Sequence, residues 1–110
     1  MARPVRGDVV VVPFPFSDLS QAKRRPALIL ADCKGDDLIL CQITSRAVSD
    51  GYAVALSDTD FSEDGLKLDS NIRPNRIFTA DNALVLYRVG SVTRPKLAEV
   101  VDRVVSILRG

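Results

Sequence analysis

Arg25-Pro26-Ala27-Leu28-Ile29-Leu30-Ala31, a polar turn Lys34-Gly35-Asp36-Asp37, and Leu38-Ile39-Leu40-Cys41-Gln42-Ile43-Thr44 form the stretch on which the reading of the fold turns. Two short apolar runs flank a turn rich in Gly and Asp, which is the pattern of a β-hairpin. The strands read as 27–31 and 38–43. A hairpin brings its far ends together, so residues just before Pro26 lie beside residues just after Ile43. Arg25 and Thr44 are thereby expected to be neighbours in space.

Upstream, Gly7-Asp8 opens the run Val9-Val10-Val11-Val12, a strand buried on both faces or nearly so and ended by Pro13. Pro13 and Pro15 forbid a central strand beyond it. Residues 13–25 therefore read as a long exposed loop, and loops of that length are often functional. Downstream, Tyr52-Ala53-Val54-Ala55-Leu56 reads as a short strand and residues 57–70 as a polar loop. Strands follow over 72–78 and 85–92, broken at Ala80-Asp81-Asn82. The end of the chain changes period. Leu97, Val100, Val101, Val104, Val105 and Leu108 make one apolar stripe on a helix, with Thr93 near the cap, Pro95 in the first turn and Gly110 past the end. The stripe is expected to pack on the sheet. The fold class is mainly β (α+β): a small barrel of twisted antiparallel strands closed by a C-terminal helix.

The chain has 110 residues, the size of a single domain spanning 1–110. Its apolar content of 46% suffices for a core without disulfides, and a formal net charge of +1 gives no global pull on nucleic acid. The N-terminus has no apolar run of signal-peptide length, and no stretch nears the roughly 18 apolar residues of a membrane span. A cytoplasmic protein without membrane contact is expected. Cys33 and Cys41 then read as reduced, partly buried thiols. The sequence has no histidine, which excludes Ser-His-Asp, Cys-His and His-paired ribonuclease devices.

Three segments can carry chemistry. Lys23-Arg24-Arg25-Pro26 ends in an arginine that the following proline biases towards an extended backbone. Such an arginine can bind phosphate in a planar, bidentate way, although a charge run is most often a solvated turn. Thr44-Ser45-Arg46 ends a strand; its hydroxyls can cap a turn or donate to an anion. Asp69-Ser70-Asn71-Ile72-Arg73-Pro74-Asn75-Arg76 again sets Arg before Pro, with polar groups suited to bases or phosphates, or to blunting a strand edge. The closely spaced Asp58, Asp60 and Glu63 lack the sixth-position glycine and the terminal glutamate of a calcium loop and read as a solvated loop, so neither a metal nor a cofactor is expected.

Taken in order, Gly7-Asp8-Val9-Val10, Arg25-Pro26-Ala27-Leu28-Ile29-Leu30, Ile43-Thr44-Ser45, Gly65-Leu66, Ser70, Arg76-Ile77-Phe78-Thr79-Ala80-Asp81 and Val89-Gly90-Ser91-Val92 resemble the MazF/PemK family of toxins from bacterial toxin–antitoxin pairs. The resemblance implies an SH3-like barrel, usually homodimeric, that cuts single-stranded RNA at short sequences without metal and is neutralised by a cognate antitoxin. It also implies that Arg25 and Thr44 are the catalytic pair. RNA contacts are expected from Arg24, Gln21, Ser45, Arg46, Arg73, Asn75 and Phe16. Phe14, Phe16 and Tyr52 are candidates for stacking on bases, the two phenylalanines equally for plugging the core. The chain departs from the family where Asp18-Leu19-Ser20-Gln21 lacks the glutamate of a common Gly-x-Glu-Gln, and where Asn75 stands for the aspartate of Arg-x-Asp. Asn75 cannot serve as a base. The rival readings are a noncatalytic toxin of the gyrase-poisoning type and an SH3-like interaction module, since fold does not fix function.

Overall fold

A computed structural model describes residues 3–15 and 22–110. The hairpin read from residues 25–44 is present as β2 (Ala22–Asp32) and β3 (Asp37–Thr44), with Ala27 opposite Gln42 and Leu28 opposite Cys41. Around it the chain adds β1 (Asp8–Pro15), β4 (Val54–Leu56), β5 (Phe61–Asp64), β6 (Ser70–Asp81), β7 (Tyr87–Val92) and the helix α1 (Arg94–Arg109). The strands form one curled antiparallel sheet in the order β4-β6-β3-β2-β1-β7-β5, a half-barrel with a single C-terminal helix.

The uninterrupted apolar runs follow from a sheet covered on both faces. Val9, Leu28, Cys41, Ile43 and Ile72 build one core with Val100 of α1. Val10, Val12, Ala27, Ile29, Leu38 and Leu40 build a second on the other face, against Phe78, Ala80 and Val85. Neighbours in sequence thus alternate between cores, as the two-residue period of a strand requires. Burial raises the Cys41 thiol to about 12 and makes it inert, and both Cys33 and Cys41 are free thiols.

Several boundaries depart from expectation. Pro13 does not end β1: the strand continues to Pro15, opposite Ala22–Arg25 of β2, so much of the expected 13–25 loop is paired strand. The reason is local. β7 pairs with β1 only as far as Val11, so beyond that point β1 is an edge, where proline costs no ladder bond. The expected 57–70 loop contains a 3₁₀ turn, Asp58–Asp60, and the edge strand β5. Asp60 Oδ2 accepts from the Ser57 N–H at 2.8 Å and closes that turn. β5 reaches β7 because Gly90 has no side chain; a Cβ there meets the Glu63 carbonyl oxygen at 2.4 Å. β6 runs through Pro74 by means of a bulge: Ile77 pairs with Cys41 and Arg73 with Gln42, leaving Pro74, Asn75 and Arg76 between.

α1 starts as expected, with Thr93 Oγ1 accepting from the Lys96 N–H at 3.3 Å and Pro95 in the first turn. Its apolar stripe is covered only in part. Val100 is fully buried, whereas Val105 and Leu108 are 40% and 75% exposed, because the helix outruns the core it packs on.

Candidate functional site

The register assembles the site. Cross-strand partners share a face of the sheet. Ala27 faces Gln42, Gln42 faces Arg73, and Thr44 faces Asn71. Arg25 lies two residues from Ala27 and Thr44 two from Gln42. By the strand period, Arg25, Gln42, Thr44, Asn71 and Arg73 occupy one face across β2, β3 and β6, at the end where the second apolar core stops. Residues before Pro26 and after Ile43 also meet as the hairpin requires. Arg24, Arg25, Thr44 and Ser45 line one cleft of about 250 Å³, closed by the 66–68 segment and Ser70.

Each candidate has a definite place. Arg25 sits inside β2, opposite Val12 and half-buried, so a strand fixes its backbone. Arg24 and Ser45 are exposed at the cleft. Thr44 Oγ1 accepts from the Arg46 N–H at 3.2 Å, which uses a lone pair and leaves the hydroxyl proton to donate. The two readings of that threonine, turn cap and anion donor, are therefore compatible. The Arg46 carbonyl accepts from Asn71 Nδ2 at 3.1 Å, tying β6 to the end of β3. Arg73 is paired to Asp50 at 2.9 Å, and Asn75 Nδ2 lies 3.5 Å from the same Asp50 oxygen. The Tyr52 N–H first and the Arg73 guanidinium second hold the Asp50 carboxyl below its ordinary value. Gln21 and Phe16 lie outside the described residues. Phe14 meets Phe78 edge to face, ring centroids 5.0 Å apart, which sets it at the margin of the second core, whereas Tyr52 is exposed.

Two of these neighbours escaped the reading of the sequence. Gln42 looked like one more position in an apolar strand, and only its pairing with Arg73 sets it beside the site. Asp50 sits in a loop with nothing local to distinguish it, apart from the Asp-Gly pair that marks a turn.

A larger concavity of about 850 Å³ lies elsewhere, by β1, β5 and β7. The charges of Asp8, Glu63 and Arg88 there are already matched to one another. Arg88 Nε donates to buried Asp8 at 3.2 Å and its Nη2 to Glu63 at 3.0 Å, and Ser91 Oγ donates to Asp8 at 2.6 Å. Glu63 first and Asp8 second push the Arg88 guanidinium further up. That arrangement is a strut, so the smaller cleft is the candidate site. Among the described residues no cluster of metal-binding side chains occurs, and no helix is long and apolar enough to cross a membrane.

The family model for PemK-like, MazF-like toxins of type II toxin–antitoxin systems matches residues 5–108. No curated protein matches the sequence. Among solved structures, MazF from Deinococcus radiodurans superposes with a TM-score of 0.79 at 23% identity, covering 100% of both chains. A MazE–MazF complex from the same organism gives 0.78 at 22%, covering 98% of each. An endoribonuclease from Mycobacterial species gives 0.76 at 18%, covering 99% of this chain and 94% of the other. At these identities the likeness is one of fold.

Proposed function

The chain belongs to the PemK-like, MazF-like toxins of type II toxin–antitoxin systems, and from that premise we propose that it is an endoribonuclease acting on single-stranded RNA at short specific sequences, without a metal ion. The observation that carries this reading is the meeting of Arg24, Arg25, Thr44 and Ser45 in one cleft. RNA brings its own nucleophile. The 2′-OH attacks the adjacent phosphorus, the bond from phosphorus to the 5′ oxygen breaks, and the products carry a 2′,3′-cyclic phosphate and a 5′-OH. A protein without histidine contributes chiefly by stabilising charge on the phosphoryl oxygens, a term that is often the largest in catalysis. Arg25 supplies a planar guanidinium whose paired donors suit phosphate geometry. Thr44 supplies a hydroxyl donor whose lone pair is anchored by the Arg46 N–H. Arg24, Ser45, Arg46, Arg73 and Asn75 serve the RNA strand on either side, as do Gln21 and Phe16 in the same reading.

Solved structures of this fold include a mycobacterial endoribonuclease with its cognate antitoxin and MazE–MazF complexes. By the same reasoning this toxin works in the cytoplasm as a homodimer and is neutralised by its own antitoxin protein. The test is an RNA pool mapped for cut sites in the presence of EDTA, followed by the preferred substrate with one deoxynucleotide at the scissile position. Wild-type protein should cut the first and leave the second whole. Cleavage of the deoxy substrate, or a requirement for metal, overturns the mechanism.

A further inference from the structure

The segment between β3 and β4 is anchored to three elements. At its start, Arg46 is bound to Thr44 through its N–H and to Asn71 through its carbonyl. At its end, Arg103 Nη1 of α1 donates to the carbonyls of Gly51 at 3.3 Å and Tyr52 at 3.2 Å. Between them Asp50 uses both oxygens. Oδ1 accepts from the Tyr52 N–H at 2.9 Å across a turn whose Gly51 has φ +80°, and Oδ2 accepts from Arg73 at 2.9 Å and Asn75 at 3.5 Å. One carboxylate thus joins a loop pinned to the helix with the bulge of β6.

Stability alone does not account for the pair. Side-chain exposures are 19% for Arg73 and 26% for Asp50, so the pair is partly buried at the surface, where an ion pair contributes modestly to folding. Its geometric effect is larger. Arg73 stands on the sheet face of Arg25 and Thr44, and two strand spacings, about 10 Å, separate β6 from β2. A long side chain there has many rotamers, and the Asp50 contact selects one while engaging Nη2 alone. We propose that Asp50 is a positioning residue of the RNA site: it holds the Arg73 guanidinium, and with it Asn75, where a phosphate or base beside the scissile one passes. Asp50 touches neither reacting atom; it acts through Arg73. The inference rests on the RNA-cleaving reading above and adds to it a residue that neither the motifs nor the cleft contains.

Asp50→Asn is the informative change, because an asparagine still caps the turn at Tyr52 and loses only the charge that holds Arg73. Steady-state cleavage of a short RNA is measured for wild type, Asp50→Asn, Arg73→Ala and the double variant, with binding of the uncleavable deoxy substrate and thermal midpoints alongside. Asp50→Asn should raise KM roughly tenfold, weaken binding in parallel, change kcat much less and leave the midpoint nearly in place. In the Arg73→Ala background it should do nothing further, since the contact it removes is already gone. Should Asp50→Asn lose its fold, Asp50→Ser, which also caps the turn, takes its place in the cycle. Wild-type kinetics in Asp50→Asn, a loss that adds undiminished to that of Arg73→Ala, or tighter binding on removal of the carboxylate each overturn the inference and leave the nuclease standing. A wild-type protein that neither binds nor cuts RNA overturns both.

Discussion

At β1 and β7, Arg88 is enclosed by acceptors from Asp8 and Glu63 and by the Ser91 hydroxyl, each charge answered within the fold. At the other end of the sheet, Lys23, Arg24 and Arg46 gather around the β2–β3 end, and none of the three makes an ion pair with another described residue. The first region has the larger concavity, the second the open donors. Hollow volume is therefore not what marks the candidate site; exposed cations at the ends of β2 and β3 are.

The contrast breaks most sharply at Arg25. Replacing it with Ala should reduce single-turnover RNA cleavage by about 10²–10³-fold, the usual loss for one charge-stabilising donor, with the fold intact by circular dichroism. Cleavage within a few fold of wild type would remove Arg25 from the reaction. Asp8→Ala is the counterpart in the strut. It strands Arg88 and Ser91 beside a lost, buried carboxylate, and should cost about 2–3 kcal/mol in denaturant unfolding, while cleavage per folded molecule stays at the wild-type level. A selective loss of cleavage there makes the strut part of the site after all. Thr44→Val removes one donor to a charged oxygen and should slow kcat about tenfold at unchanged stoichiometry of RNA binding. The smallest effect is in acid. The Asp50 carboxyl titrates below its unfolded value, so its contribution to stability is complete above the ordinary carboxylate range and disappears as pH falls through the lowered folded value. Wild type and Asp50→Asn should thus differ by only a small margin at neutral pH, and that margin should close in strong acid; a gap that widens in acid contradicts that contact.

Why the hairpin and the Arg25–Thr44 pair were legible and the rest of the candidate site was not follows from range. Residues 25–44 carry their own turn chemistry and apolar runs, so β2, β3 and the closeness of Arg25 to Thr44 could be read locally. The helix start at Thr93 and Pro95 was equally local. Pro13 misled because a proline is read as a stop until the neighbouring strand is known to have ended at Val11. β5 was missed because a polar edge strand has no alternation to detect, and its partner β7 lies more than twenty residues away. Val105 and Leu108 kept the period of a buried stripe without a surface to cover them.

The sequence by itself determined a histidine-free, strand-rich chain with a hairpin that aims an arginine and a threonine at one place, because turn residues, β-branched runs and proline act over a few positions. Only the tertiary structure decided that Gln42 and Arg73 join that place and that Asp50 holds Arg73 there. Those contacts cross the sheet or span more than twenty residues, and register is set by the packing of two cores on opposite faces, which no local pattern encodes.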